Sequence, residues 1–411
     1  MENIDNISNL QSYEDYIANN ITEWEAESIA RVCRKIGKIG RMSKKELEKF
    51  NADKEAKKEW ERIVAALAVA TALNIRTLKK AYISEFEAWE KQNEHLYQYR
   101  GKKPLGSKNG ALQGIIDEAV KKNANEIFEI LDWKDKDFTK IENLTKTKAL
   151  SVLDRNGNPI RFQDAIYKSF GDAVKTVTEG KADFYTTMRQ TVQNLGGGGC
   201  RVNYGEGITR RLDTVVRQNM LYGIKQANGE YNEAIGKELN CDGYEVDAHN
   251  NPRPSHYFMQ GKQYCIGKSR TINGIDFVGF EEIDPTSPDG LSASKALNDY
   301  GCRHYKTPII CGVSEPRFSK EQLAQIEAEN KKQYMVGDLK GNKYYFSQKM
   351  RALETEIRKA KDEINALKSF GNSSNEIKAL RIKINAYRTK YDEISEITGL
   401  SKEPKRMSVP K

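Results

Sequence analysis

The sequence contains no apolar run long enough to cross a membrane. Its longest apolar stretch extends from Ile63 to Leu73 and is already interrupted by Thr71, whereas a membrane helix needs roughly 20 apolar residues. The first residues, Met1 to Asp5, have neither the basic start nor the apolar segment of a secretory signal. We therefore expect the apolar run to form a buried helix in a protein that is made in the cytosol and has no membrane contact.

Cysteine is also sparse, and its spacing excludes the common redox and zinc-finger motifs. The chain has six cysteines and no C-x-x-C pair. These residues are Cys33, Cys200, Cys241, Cys265, Cys302 and Cys311. In a cytosolic protein this pattern predicts free thiols and not a disulfide framework.

The composition is polar, but it is that of a protein that folds and not of a disordered one. Hydrophobic residues make up 38%, charged residues 30% and aromatic residues 9%, and the mean hydropathy is −0.74. The aromatic share is too high for a disordered chain, and 411 residues suffice for two or three packed units. We predict a predominantly α-helical α+β protein, with an N-terminal helical region over 1–199, a small α+β module over 200–315 and a helical hairpin over 316–411.

Positive charge is concentrated in the last of these regions. Residues 316–411 contain 21 Lys or Arg and 13 Asp or Glu, a balance of +8 within the total of +9. A basic helical surface can attract nucleic acid, although interleaved acidic residues also fit an ordinary solvated face. The candidate contacts to nucleic acid are Lys349, Arg351, Arg358, Lys359, Arg381, Lys383, Arg388 and Lys390.

Three local signals indicate structure in the first half of the chain. Ser43 followed by Glu46 has the spacing of a helix capping box. Residues 151–162 flank the dipeptide Asn156-Gly157, which favours a tight β-hairpin turn. The run from Gly196 to Gly199 should stop the preceding helix, because glycine makes a helix costly and a hinge easy. We place a domain boundary close to this run. A phosphate-binding loop is the alternative interpretation, but no Gly-Lys-Ser/Thr follows the glycines and no clear strand precedes them.

A long helix should follow, from Ile208 toward Leu239. Its arginines, Arg210, Arg211 and Arg217, could contact phosphates or simply occupy an exposed helix face. The alternation that begins at Tyr244 then predicts a strand and the start of the α+β module.

Two heptad seams make the C-terminal region the clearest part of the pattern. Apolar residues recur at intervals of four and three from Phe346 to Leu367 and again from Ile377 to Ile394. A short turn at Gly371 separates the seams, so their similar lengths favour an antiparallel helical hairpin. Pairing of a seam with another chain is the alternative.

Histidines gather in the α+β module. His249, His256 and His304 are three of only four histidines in the chain, and Cys302 lies beside the last of them. Imidazole and thiolate are favoured zinc ligands, so these four residues could form a tetrahedral site. With Asp247 and Arg253, the histidines could also perform acid–base chemistry on a phosphodiester. A third interpretation is structural, with imidazoles that donate hydrogen bonds to loop carbonyls.

These same stretches resemble the phage minor capsid protein 2 family. The most specific segments run from Val246 to His249, from Arg253 to His256, from Gln260 to Lys262 and from Tyr300 to His304. Weaker similarity covers nearly the whole length. The residues that match the family's motifs are Asp247, His249, Arg253, His256, Gln260, Gly261, Cys302, Arg303 and His304.

The resemblance implies a structural virion component and no established enzyme activity. The family's role predicts a minor capsid or head-morphogenesis protein at the portal vertex or capsid interior, needed for head assembly, DNA packaging or DNA delivery. Its expected partners are portal and capsid proteins and double-stranded DNA. The competing hypothesis is a virion-carried, metal-dependent hydrolase or toxin-like enzyme that uses the histidine and cysteine residues.

Overall fold

The computed structural model describes residues 10–104, 110–131, 149–180, 183–203, 209–282, 297, 302, 304–371 and 374–409. Helices dominate these residues, which confirms the predicted fold class. In chain order they are α1 (Leu10–Ile39), α2 (Lys44–Glu48), α3 (Ala52–Tyr99), α4 (Gly110–Leu131), α5 (Phe162–Thr178), α6 (Phe184–Gly198), α7 (Leu212–Glu238), α8 (Lys320–Lys331), α9 (Lys343–Phe370) and α10 (Ser374–Thr398). None of the described helices is both long and apolar enough to cross a bilayer.

Short antiparallel strands connect the helices. The strands are β1 (Ala149–Leu153), β2 (Pro159–Arg161), β3 (Arg201–Asn203), β4 (Thr209–Arg211), β5 (Gly243–Val246), β6 (Gln263–Cys265), β7 (Arg270–Ile272), β8 (Ile275–Phe277), β9 (Lys306–Ile309), β10 (Tyr334–Val336) and β11 (Leu339–Gly341). A four-stranded sheet has the order β2-β1-β3-β4, and a three-stranded sheet has the order β6-β5-β9. The pairs β7-β8 and β10-β11 form two separate hairpins.

Two local predictions are confirmed at the level of hydrogen bonds. Ser43 and Glu46 form a reciprocal capping box at the start of α2. The predicted hairpin is β1-β2, in which Gly157 has φ of +82°. The Asp154 carboxylate accepts hydrogen bonds from the backbone N–H groups of Asn156 and Asn158, both at 2.8 Å. These two hydrogen bonds stabilise the turn, because they satisfy backbone N–H groups that are not paired between the two strands.

One main core joins the three predicted regions. Its buried apolar side chains include Ile36 of α1, Val216 of α7 and Ile364 of α9. The α+β module adds a small core around Val246 and Met259. The division into regions 1–199, 200–315 and 316–411 stays a prediction.

The glycine run does not end its helix where we predicted. Helix α6 continues through Gly196 to Gly198, and only Gly199, with φ of +58°, leaves the helix. A Cβ added at Gly196 would lie 2.6 Å from the Cβ of Ala366 on α9. The glycine therefore permits close approach of two helices. The close packing of α6 against α9 offsets the low helix propensity of glycine. We had predicted that the helix would end at this run because of that low propensity.

The C-terminal helices form the predicted hairpin and also pack beyond it. Helices α9 and α10 contact each other, while α9 also packs against α6 and α1. Phe346 of the first seam and Ile394 of the second share one buried cluster. Ile357 belongs instead to the main core. The first seam is thus divided between its hairpin partner and the N-terminal helices.

A buried ionic cluster lies where α1, α7 and α9 meet. Arg211 contacts Glu25 of α1 at 3.4 Å and Asp362 of α9 at 2.9 Å. It also contacts Asp213 at 3.3 Å, and that carboxylate pairs with Arg358 as well. The expectation that Arg211 occupies an exposed or phosphate-binding face was wrong, because its side chain is only 3% exposed.

Arg217 is also engaged within the protein. Its guanidinium contacts Glu14 at 3.0 Å and Asp15 at 2.6 Å, with 12% of the side chain exposed. The interpretation of Arg217 as a phosphate contact is therefore wrong. Of the three arginines considered, only Arg210 is exposed.

The buried ionic cluster should make stability depend on pH through Glu25. Burial, opposed by Arg211, raises the pKa of Glu25 from 4.5 to about 8. The unfolded chain ionises this carboxyl above pH 4.5, whereas the folded protein keeps it protonated up to about pH 8. The free energy of unfolding should therefore fall as the pH rises from 4.5 to about 8. One such group changes the free energy of unfolding by at most about 1.4 kcal/mol per pH unit.

Glu25→Gln should flatten this pH dependence, since glutamine cannot ionise and its carbonyl can still accept the Cys200 N–H. Urea unfolding of both proteins at both ends of the pH interval measures the slope. Glu27→Gln is the matched control, because Glu27 lies on the same helix with 61% of its side chain exposed. Equal slopes for Glu25→Gln and the unsubstituted protein would contradict the assignment.

Candidate metal centre

Three potential metal ligands converge from two segments of the α+β module. Pro254 opens a short 3₁₀ helix, Pro254–Met259, which carries His256. Cys302 and His304 lie just before β9. Proline at the helix start fits because its ring presets the backbone angle and no N–H is needed there. The ligand atoms of the three side chains lie within 4.8 Å of one another, and we call them the three-ligand cluster.

The distances within the three-ligand cluster are short and even. His256 Nδ1 lies 3.2 Å from His304 Nδ1. Cys302 Sγ lies 3.6 Å from the first nitrogen and 3.7 Å from the second. Both histidines are 1% exposed, whereas Cys302 is half-buried.

Gln260 orients one of the imidazoles. Its side-chain oxygen accepts the backbone N–H of His249 at 2.9 Å, which identifies the oxygen end of the amide. The same oxygen lies 3.2 Å from His304 Nε2. Because a carbonyl oxygen only accepts, Nε2 must carry the proton, and Nδ1 of His304 is left with a lone pair directed at the other two ligands.

Burial keeps His304 neutral. Desolvation, together with His249 and His256 nearby, lowers the pKa of His304 from 6.5 to about 2. Neutral imidazole is the form that binds metals. His304 is therefore available as a metal ligand, which a protonated imidazolium would not be.

His249 lies beside the cluster and not within it. Its ring centroid is 4.4 Å from that of His304, and its Nδ1 lies 3.0 Å from the carbonyl oxygen of Asn250. The buried Nε2 of His249 has no hydrogen-bond partner among the residues that the structure describes. Three of the four predicted metal ligands thus converge, and the fourth stacks against one of them.

The remaining motif residues support the surrounding loops. The Asp247 carboxylate accepts the backbone N–H of Tyr305 at 2.8 Å, and burial raises the pKa of that carboxyl. Gly261 has φ of +63° and donates its N–H to the carbonyl of Val246 at 2.9 Å. Arg253 lies on the wall of the adjacent cleft. Arg303 lies outside the described residues.

The three-ligand cluster faces a cleft of about 400 Å³. We call it the histidine cleft; its opposite wall comes from the C-terminal region. The polar side chains of that wall include Arg351, Glu354, Glu403 and Arg406. Apart from Arg351, which we had proposed as a DNA contact, sequence reasoning missed these residues, because only folding brings them close to the histidines.

The predicted nucleic-acid contacts separate into exposed and buried residues. Lys349, Arg351, Arg381, Lys383, Arg388 and Lys390 are exposed. Lys359 is half-buried and pairs with Glu356 at 2.6 Å. Arg358 corrects the prediction, because it is only 9% exposed and its guanidinium pairs with Asp213.

A family model named phage minor capsid protein 2 matches residues 9–394 of the 411. The chain belongs to this family. The match spans the N-terminal helices, the three-ligand cluster and nearly all of the C-terminal hairpin. Neither a curated protein nor a solved structure matches the chain.

Membership assigns the chain a structural role in the bacteriophage virion. It also implies contact with other structural proteins of the phage. All six cysteines are free, as the sequence predicted. The three-ligand cluster therefore belongs to a protein whose established class is structural.

Proposed function

We propose that this minor capsid protein resides at the portal vertex or the inner face of the capsid and supports head assembly, DNA packaging or DNA delivery. In this proposal its N-terminal helices dock onto portal and capsid proteins. The exposed side of α10 contacts packaged double-stranded DNA. The observation that carries the proposal is the distribution of charge on α10.

The exposed side of α10 is basic and free of acidic residues over most of its length. Between Ile377 and Tyr391 the sequence has no Asp or Glu. The basic residues in that interval are all exposed: Lys378, Arg381, Lys383, Arg388 and Lys390. At 1.5 Å rise per residue they extend over about 18 Å. Helix periodicity places Arg381 and Arg388 on one flank of the exposed side and Lys383 and Lys390 on the other, so the helix can meet phosphates on both sides.

These cations form no ion pair with an acidic side chain among the described residues. The acids that flank them in sequence are engaged elsewhere: Glu376 pairs with Arg189 and Asp392 pairs with Lys402, both at 2.5 Å. Several exposed lysines elsewhere pair with carboxylates, as Lys331 does with Glu327 at 2.5 Å. Unpaired exposed cations are the ones that can replace the counterions of DNA.

Neutralising the α10 face should weaken binding to DNA and reduce its salt dependence. The variant changes Arg381, Lys383, Arg388 and Lys390 to glutamine. Since each lost phosphate contact lowers the salt slope by about 0.9, we expect a reduction of about 3–4 and an affinity at least about tenfold weaker. Fluorescence anisotropy of a labelled duplex across a salt series measures both quantities.

A matched control removes the same charge from exposed lysines elsewhere. Lys168, Lys175, Lys237 and Lys331 are each changed to glutamine, and three of them pair with acids at their i+4 or i−4 positions. We expect this variant to retain most of the affinity. Equal loss in both variants, or no binding by the unsubstituted protein at low salt, would remove DNA contact from the proposal.

Position in the particle is a separate question with its own experiment. Reconstruction of the portal vertex without imposed icosahedral symmetry should contain density into which the α9-α10 hairpin fits. Mass spectrometry of purified heads should detect the chain. Its absence from both mature heads and assembly intermediates would contradict the proposed role.

A second candidate function is hydrolysis of a phosphodiester by a virion-carried, metal-dependent enzyme. The observation in its favour is that the three-ligand cluster lies on the wall of the histidine cleft, beside Arg253 and Arg351. Arginine side chains there could hold a phosphate while a bound metal activates water. Turnover of a phosphodiester that disappears in His256→Ala would support this function, and a metal-loaded protein without turnover would exclude it.

A further inference from the structure

We propose that His256, Cys302 and His304 bind one zinc ion whose fourth coordination position opens into the histidine cleft. This inference is independent of DNA contact and of the position in the particle. It rests on the distances within the three-ligand cluster, on the polar contact that orients one ligand, and on the position of the cleft.

The spacing of the donor atoms matches the edges of a zinc tetrahedron. With Zn–N bonds of about 2.05 Å and Zn–S bonds of about 2.3 Å, two nitrogens should lie about 3.3 Å apart and each nitrogen about 3.6 Å from the sulfur. The observed N–N distance is 3.2 Å, and the N–S distances are 3.6 and 3.7 Å. A single ion can therefore reach all three donors without movement of the backbone.

The donor set also has the right chemistry. Two neutral imidazoles and a thiolate favour zinc over magnesium or calcium, which prefer oxygen ligands. Gln260 places the proton of His304 on Nε2 and leaves Nδ1 free to bind the ion.

The fourth position is left to a water molecule or another small ligand. His249 lies outside the group of converging ligand atoms, and its ring stacks on His304. The histidine cleft reaches all three ligands and contains Arg253 and Arg351 on its walls. Three protein ligands with one open position is the arrangement in which zinc binds exchangeable ligands.

Metal analysis of the full-length protein tests the proposal. We expect one zinc per chain after dialysis against trace zinc, and Cys302→Ser and His304→Ala should lose it. Gln260→Ala should retain the ligands but bind zinc about 10–100-fold more weakly, because His304 is no longer held in its binding tautomer. His95→Ala and Cys241→Ser are matched controls that should bind zinc normally, since both residues lie outside the cluster.

Cobalt substitution keeps the test decisive if a variant fails to fold. The Co²⁺ form of the unsubstituted protein should show tetrahedral d–d bands and a thiolate charge-transfer band, and azide should shift the d–d bands through the open position. Failure of the unsubstituted protein to bind Zn²⁺ or Co²⁺ would overturn the proposal. Loss of zinc in His249→Ala, or no response to azide, would overturn the open fourth position and make the site a closed one.

Discussion

Arg211→Met is expected to lower the free energy of unfolding by about 3–5 kcal/mol. The substitution removes the guanidinium that contacts Glu25, Asp213 and Asp362, and all three carboxyls are buried. The buried carboxylates of Asp213 and Asp362 lose the Coulomb attraction of this guanidinium but have already lost their hydration. Urea denaturation at neutral pH, followed by circular dichroism, measures the loss.

Arg210→Met is the matched control, because Arg210 is the adjacent residue and is exposed. Its effect should stay within about 0.5 kcal/mol, as for most surface substitutions. The loss in Arg211→Met should shrink at acid pH, where the orphaned carboxyls take up protons. Similar stabilities for the two variants would show that the buried ionic cluster contributes little to the junction of α1, α7 and α9.

Gly196→Ala is expected to cost about 1–3 kcal/mol of stability although alanine is the better helix former. The added Cβ would lie 2.6 Å from the Cβ of Ala366 and 2.9 Å from the carbonyl oxygen of Asp362. Because the second of these atoms belongs to the backbone of α9, the two helices must separate. Thermal and urea unfolding measure the cost.

Gly197→Ala is the control on the same helix. There the added Cβ would meet only the side chain of Glu363, at 3.3 Å, which can move aside. Up to about 1 kcal/mol of stability should be gained, because alanine restricts the unfolded chain and favours the helix. A loss in Gly197→Ala as large as that in Gly196→Ala would show that the effect does not come from the contact between α6 and α9.

Signals confined to a few neighbouring residues predicted structure well. The capping box at Ser43 and the hairpin around Asn156-Gly157 depend on hydrogen bonds and backbone angles within one turn. The C-terminal seams depend on a period that is visible in the sequence itself. The fold class and the helical hairpin followed from such patterns, whereas the family was identified from the resemblance of the motif segments around the histidines.

The burial of charged residues and the conformation of glycines were predicted less well. Arg211 and Arg358 lie in sequence segments whose composition is typical of an exposed basic helix. In the structure, however, both side chains pair with carboxyls that are distant in sequence. Gly196 resembles a hinge in sequence, but α9 lies against it and requires the missing side chain. In each case the deciding partner comes from another part of the chain, so no local pattern could reveal it.

For the candidate metal centre, the sequence by itself determined which potential ligands the chain contains. It also showed that three of the four histidines lie in one module. Only the tertiary structure decided that His256, Cys302 and His304 meet, that His249 stacks beside them and that the C-terminal region completes the cleft. The physical reason is that coordination depends on ångström distances between side chains. Those distances are fixed by packing of elements far apart in the chain, whereas helix periodicity and family membership are carried by the order of residues.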